Sequence, residues 1–161
     1  MVAILAVAAL FLSTGATTPR ATTVELTPVD GGLQAAYRLP APTSAFTFDE
    51  PVADVRADAW HPAADFVLAD GVLRRRDGKT FSVFTVTLTP DSEPRDRRYP
   101  ALTRIGIGWQ IYGPYFKPAT GDVTVQAILP KGWVSVGGRR TGGLSTEGYA
   151  YVGPAAYVTR G

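Results

Sequence analysis

Three observations in the sequence predict an all-β domain, specifically an antiparallel β-sandwich. Bulky apolar residues alternate with small or polar ones in many short stretches, which is the period of a strand with one buried face. The 161 residues include 17 glycines and 13 prolines, so few stretches are long enough for a helix. Strand candidates recur at intervals of about ten residues with turn residues between them, which is typical of antiparallel sandwiches.

The central strand of the core is predicted at residues 102–116, LTRIGIGWQIYGPYF. Large apolar side chains occupy every second position and are expected to face inward: Ile105, Ile107, Trp109 and Ile111. The glycines between them leave the opposite face almost bare. Another backbone or a large side chain can therefore lie close against that face.

The first half of the chain contains six further strand candidates, residues 22–26, 33–39, 46–48, 65–68, 72–75 and 80–88. The first two are predicted to form a hairpin around residues 30–32, because aspartate and glycine tolerate positive φ. The fourth and fifth form another around Asp70 and Gly71, and Asp77 and Gly78 form a further turn. Residues 80–88 are partly apolar on both faces, which indicates a strand covered on two sides. Residues 52–60 fit either an extended segment or one helical turn.

The second half continues the pattern after a polar, proline-rich loop at residues 90–100. The remaining strand candidates are residues 123–129, 133–136, 149–152 and 156–158. A loop is predicted at residues 137–143. Neither an internal repeat nor a second domain is apparent, so residues 22–161 are expected to form one domain.

The chain begins with an apolar run, residues 2–12 (VAILAVAALFL). This run is shorter than the roughly 20 residues that span a bilayer, so a stable membrane span is not expected. Small residues follow it, which indicates a secretory signal peptide over residues 1–16 with cleavage between residues 16 and 21. The alternative is a buried first strand. Export predicts a periplasmic or secreted protein.

Composition excludes several functional classes. The formal net charge is +2, and the arginine clusters at residues 74–76 and 139–140 are too short for a nucleic-acid groove, so no nucleic-acid partner is expected. Cysteine is absent, which excludes disulfides, a thiol nucleophile and cysteine metal sites.

The sequence predicts no catalytic residue, metal ligand or cofactor-binding residue. His61 is the only histidine, it could act with Asp58 or Asp65, and no nucleophile motif accompanies it. One histidine without cysteine does not supply a zinc site. Neighbouring carboxylates at residues 49–50, or at Asp54 and Asp58, are an alternative as calcium ligands or glycosidase carboxylates.

Aromatic residues concentrate between residues 109 and 133. Rings that face outward from a sheet can stack on sugars, whereas rings that face inward fill the core. Alternation predicts that Trp109 faces inward and Tyr112 outward. The candidate binding surface is Tyr112, Tyr115 and Trp133, with a peptide or a glycan as the ligand. The alternative is that this group of aromatic residues packs in the core.

Two motifs give the chain a family resemblance. Asp122 begins the stretch DVTV, and Leu129 begins the stretch LPKGWV. Together with the aromatic-proline turn from Tyr115 to Pro118, they resemble the end of the N-terminal β-domain of gluzincin metallopeptidases. These enzymes are the aminopeptidase N-like and glycyl-aminopeptidase-like peptidases. The resemblance is strongest over about forty residues, between Tyr99 and Gly138.

The resemblance implies a saddle-like β-domain that packs beside a zinc peptidase catalytic domain. The zinc motif of that family, two histidines four residues apart with an adjacent glutamate, is absent from this sequence. We therefore expect an exported, non-catalytic domain, either a fragment of a longer peptidase or a free-standing domain. The alternative is a carbohydrate- or surface-binding module.

Overall fold

The structure is a computed structural model that describes residues 21–49, 59–90, 100–137 and 143–155. Twelve strands lie in these ranges, and a short 3-10 helix, Gly113–Phe116, follows the ninth. The strands are β1 (Thr22–Val29), β2 (Gly32–Thr43), β3 (Phe46–Thr47), β4 (Trp60–Pro62), β5 (Phe66–Ala69), β6 (Val72–Arg75), β7 (Phe81–Leu88), β8 (Leu102–Ile105), β9 (Gly108–Tyr112), β10 (Val123–Ala127), β11 (Trp133–Val136) and β12 (Tyr149–Pro154). The prediction of an all-β fold is confirmed for the residues that the structure describes.

The largest sheet has five strands in the order β10-β1-β2-β7-β4. The predicted hairpin of β1 and β2 is present, with Val29 paired to Gly32 across the turn. One pair departs from the predicted antiparallel arrangement, because β1 and β10 run parallel. Parallel strands need a long connection, and here about a hundred residues separate them, so no local turn signal reports the pairing.

Two smaller sheets complete the described fold. One has four strands in the order β11-β12-β9-β8, and the other has three in the order β3-β6-β5. The predicted hairpin at Asp70 and Gly71 joins β5 to β6, with Ala69 paired to Val72. The chain also turns at Asp77 and Gly78, but there it passes from the three-stranded sheet to β7 in the five-stranded sheet.

The prediction of one central strand at residues 102–116 is wrong. This stretch forms a hairpin of β8 and β9, in which Ile105 pairs with Gly108 around a two-residue turn. Trp109 and Ile111 are buried as expected, but Ile105 is 45% exposed and Ile107, in the turn, is 52% exposed. Gly106 supplies the turn with a φ of +61°.

The core is built largely from aromatic rings. Phe84 of β7 stacks on Tyr37 of β2 with ring centroids 4.4 Å apart and an angle of 9° between the planes. Phe46 and Phe48 contact the same tyrosine edge-on. Tyr37 and Phe84 are buried, so the faces of β2 and β7 that carry these two rings are the inner faces.

Strand β7 is covered on one face rather than on both as predicted. Phe84, Val86 and Leu88 are buried, but Val83 is 54% exposed. Phe81 is buried as well, although it lies an odd number of residues from Phe84. The register between β2 and β7 shifts at this point, and such an irregularity turns the next side chain to the other face.

Several predictions fall outside the described residues. They concern the signal segment at residues 1–16, most of the cleavage window, residues 52–58, most of the loops at 90–100 and 137–143, and the strand at 156–158. Among the residues that the structure does describe, no helix is both long enough and apolar enough to cross a membrane.

Candidate binding surface

Tyr112 lies at the end of β9 and pairs directly with Tyr149 of β12. Their ring centroids are 5.0 Å apart and the planes are tilted by 54°. Their strand neighbours Ile111 and Ala150 are buried in the core. Because successive side chains of a strand point to opposite faces, the two tyrosines lie on the outer face of the four-stranded sheet, as predicted for Tyr112.

Tyr115 does not belong to a surface, because it is only 2% exposed. It lies in the 3-10 helix, and its ring packs edge-on against Tyr112 with centroids 5.1 Å apart. The alternation of the strand ends before Tyr115, because Gly113 and Pro114 begin the 3-10 helix. Alternation along the strand therefore does not predict the direction of the Tyr115 side chain. Tyr115 stabilises the ring of Tyr112 from inside the protein.

Trp133 is far from Tyr112. It begins β11 and pairs with Pro154, whereas Tyr112 pairs with Tyr149, five residues away along β12. At about 3.4 Å per residue the two positions are roughly 17 Å apart. Trp133 also packs against the hydrophobic core. The three predicted residues therefore do not form one surface.

Sequence reasoning missed Tyr149 and Tyr151, which alternate around the buried Ala150. The alternation of residues 149–152 is visible in the sequence, but it does not show which face of the strand is the outer one. Tyr151 lies on the outer face with its ring over Gly108 of β9, as the bare glycine face of residues 102–116 predicted. Its hydroxyl is buried and has no hydrogen-bond partner among the described residues.

An ion pair lies close in sequence to the tyrosine pair. Lys117 Nζ donates to Glu147 Oε1 at 2.7 Å. The backbone in this region is fixed by the Gly113 amide, which donates to the Gly148 carbonyl at 2.9 Å. The segment after β9 and the segment before β12 are thus joined by an ion pair between Lys117 and Glu147 and by a backbone hydrogen bond.

The chain matches no protein-family model and no curated protein. The resemblance to the gluzincin β-domain therefore depends on the motifs of residues 99–138 alone. A function for the chain has to be inferred from those motifs and from the geometry of the described residues.

The structure does not bring His61 and Asp65 together. His61 Nε2 lies 3.2 Å from Thr89 Oγ1 on the outer side of β4. Asp65 instead lies 4.0 Å from Arg75 Nη2. Asp49 is exposed, while Glu50, Asp54 and Asp58 lie outside the described residues. Within the described ranges, three or more potential metal ligands do not cluster anywhere.

The clearest electrostatic feature is the contact between Arg75 and Asp77. Arg75 Nε and Nη2 donate to the two carboxylate oxygens of Asp77, each at 2.9 Å. These hydrogen bonds, with another from the Lys79 amide, lower the pKa of Asp77 below its ordinary value. The contact is at the surface, at the end of β6.

Proposed function

We propose that this chain is an exported, non-catalytic β-domain that packs beside the catalytic domain of a gluzincin-type zinc aminopeptidase. In that position it forms part of the wall of the substrate cleft. The proposal is supported chiefly by the structural position of the motifs that carry the resemblance, between Asp122 and Trp133.

These motifs connect the two larger sheets. DVTV forms β10 at the edge of the five-stranded sheet, and the tryptophan of LPKGW begins β11 at the edge of the four-stranded sheet. Between them the Trp133 amide donates to the Pro130 carbonyl at 3.0 Å, and Gly132 has a φ of +84° that favours glycine. The glycine of the LPKGW motif therefore has a physical reason in this crossover.

The two larger sheets pack face to face as a sandwich in this proposal. Leu26 and Val125 come from the five-stranded sheet, and Ile111 and Ala150 from the four-stranded sheet. All four line the same small internal space. A shared interior of this kind is what two packed sheets produce, because each buries one face against the other.

The purified chain tests the non-catalytic part of the proposal. We expect metal analysis to find no stoichiometric zinc and aminoacyl anilides to remain uncleaved. Cleavage that depends on zinc bound by this chain alone would overturn the proposal.

The docking part is tested with the catalytic domain itself. The DNA directly downstream should encode a gluzincin zinc motif, in frame or after one frameshift. Size-exclusion chromatography of the two domains mixed together should then give one complex. Separate elution at micromolar concentrations would contradict docking, and an unrelated downstream sequence would contradict the fragment hypothesis.

A second candidate function is glycan binding by the Tyr112 and Tyr149 pair. It is favoured by two adjacent rings that point outward, those of Tyr112 and Tyr149. The Tyr112 ring also packs against the buried Tyr115. Tyr112→Ala should weaken binding on a glycan array about tenfold, in keeping with the loss of ring stacking. Trp133→Phe, in β11 opposite the far end of β12, is the control and should bind like the parent. Equal binding by parent and Tyr112→Ala would count against this function.

A further inference from the structure

An open groove of about 420 Å³ lies on the outer face of the five-stranded sheet, beside the β5–β6 hairpin. Its lining comes from β2 and β7 on one side and from Asp65, Phe66 and Arg75 on the other. A volume of this size is in the range that accommodates small ligands. The groove is remote in the fold from the tyrosine pair, which lies on the four-stranded sheet.

The floor of the groove is largely apolar. Ala36 and Val83 point outward, because their neighbours Tyr37 and Phe84 are buried in the core. Val83 is 54% exposed, although valine ordinarily gains from burial. Thr85 adds one hydroxyl next to this apolar patch. The floor therefore suits a short aliphatic group.

Two guanidinium groups line the groove, and they differ in their contacts. Arg75 is held by Asp77 through two hydrogen bonds of 2.9 Å and lies 6.0 Å from the centroid of the Phe66 ring. Arg38 pairs in register with Val83, and its exposed side chain makes no hydrogen bond or ion pair with any described residue. The positive charge of Arg38 is thus available to a ligand at the edge of the apolar floor.

We propose that this groove binds a monocarboxylate carried on a short aliphatic group. The Arg38 guanidinium binds the two carboxylate oxygens as a fork, and Ala36 and Val83 contact the aliphatic part. Arg75 already faces Asp77 and, at 4.0 Å, Asp65, so Arg38 is the guanidinium of the lining that matches a single carboxylate. Two sources carry this chemistry, a free branched-chain acid and the C-terminus of a peptide that ends in an aliphatic residue.

An NMR titration of the isotope-labelled chain tests this site. Isovalerate should shift the amides of Arg38, Val83 and Thr85 saturably. Acetate has a methyl group in place of the isobutyl group, and isoamyl alcohol lacks the charge, so each should bind at least about tenfold more weakly than isovalerate. A leucine-terminated peptide with a free carboxylate, compared with its amidated form, shows whether a peptide C-terminus is the source. Absence of saturable shifts with both isovalerate and the free peptide would overturn the proposal.

Variants separate a specific site from general attraction by positive charge. Arg38→Gln should weaken isovalerate binding about tenfold, because it removes a charge-assisted hydrogen bond. Arg74→Gln is the matched control, since Arg74 is an exposed arginine on the β5–β6 hairpin beside the groove and does not line it. Val83→Asp places a repelling charge on the floor and should abolish binding. Equal losses in Arg38→Gln and Arg74→Gln, or unchanged binding in Val83→Asp, would show that the groove is not the site.

Groove binding and docking to a peptidase are independent properties. The titration uses the chain alone, so a failure to form a complex with a catalytic domain leaves its outcome unchanged. Conversely, an unoccupied groove does not affect docking through other faces of the domain.

Discussion

The ring of Tyr151 lies over Gly108 of the neighbouring strand. A β-carbon built on Gly108 would contact the Tyr151 hydroxyl and would lie 2.6 Å from the Val152 carbonyl oxygen. The φ of Gly108 is not positive, so glycine is needed here for space and not for backbone conformation. A tyrosine that packs over a glycine restores the contact area that the missing side chain would provide.

Gly108→Ala should lower the free energy of unfolding by about 1–3 kcal/mol, because the added methyl group collides with both a ring and a backbone carbonyl. Urea denaturation measures this change. Gly148→Ala is the control, since a β-carbon at Gly148 meets no atom within 4 Å. It should leave stability unchanged or raise it slightly, because alanine restricts the unfolded chain. Similar midpoints for the two variants would contradict the close packing at Gly108.

Phe84→Ala should be among the most destabilising substitutions in the domain. Phe84 is 4% exposed, and its ring contacts five others, those of Tyr37, Phe46, Phe48, Phe66 and Phe81. Removing it leaves a large cavity and should cost about 3–5 kcal/mol, which thermal or urea denaturation would detect. The adjacent and exposed Val83→Ala should change stability by no more than about 0.5 kcal/mol. A loss at Val83 as large as that at Phe84 would mean that the two faces of β7 are reversed.

Two Asp-Gly turns should respond differently to the same substitution. Asp70 has a φ of +51°, followed by Gly71 at +72°, whereas in the first hairpin only Gly31 is positive and Asp30 is not. Alanine is disfavoured at positive φ, so Asp70→Ala should cost about 1–2 kcal/mol of unfolding free energy. Asp30→Ala should be nearly neutral, and Asp70→Asn should retain stability because asparagine tolerates this conformation. Equal losses at Asp70 and Asp30 in urea denaturation would contradict the difference between the turns.

The contact of Arg75 with Asp77 predicts a pH dependence of stability. The pKa of Asp77 in the folded chain is below its ordinary value of 3.8, chiefly because Arg75 hydrogen-bonds the carboxylate. This contribution is fully present above the unfolded pKa and is lost as the pH falls through the folded pKa. Asp77→Asn should therefore reduce the loss of stability on acidification. The measurement is the urea midpoint as a function of pH.

Arg75→Gln serves as the companion variant in that series. It removes the largest cause of the lowered pKa but leaves the hydrogen bond from the Lys79 amide. It should reduce the acid dependence less than Asp77→Asn does, and the double variant should resemble Asp77→Asn. Identical pH profiles for parent and Asp77→Asn would show that the contact is not maintained in solution.

Alternation predicted individual strands well but misassigned faces where the chain turns. In residues 102–116 the apolar period continues without a break through Gly106 and Ile107. In a two-residue hairpin, however, Ile105 pairs with Gly108 and takes its face, opposite to that of Trp109. The apolar alternation in the sequence therefore continues through the turn, although Ile105 and Trp109 lie on opposite faces of the hairpin. The clearer turn dipeptides at residues 30–31 and 70–71 were recognised because glycine follows aspartate there.

The candidate surface was predictable only in part. Tyr112 could be assigned to the outer face because it extends the buried pattern of Trp109 and Ile111. Tyr115 was misassigned because a 3-10 turn intervenes, and Trp133 was grouped with Tyr112 because the two are close in sequence. Their separation along β12 depends on strand pairings between distant residues, which local patterns do not encode. The Arg38 groove depends on contacts between two sheets and has no local signature.

The parallel pairing of β1 with β10 also affects the order in which the chain can fold. Thr22 pairs with Val123, so the amino-terminal strand completes its hydrogen bonding only after more than a hundred residues have been synthesised. Until then β1 has only its hairpin partner β2, and its other edge is open to mispairing with another chain. The exposure of this edge therefore ends only when β10 is available to pair with it.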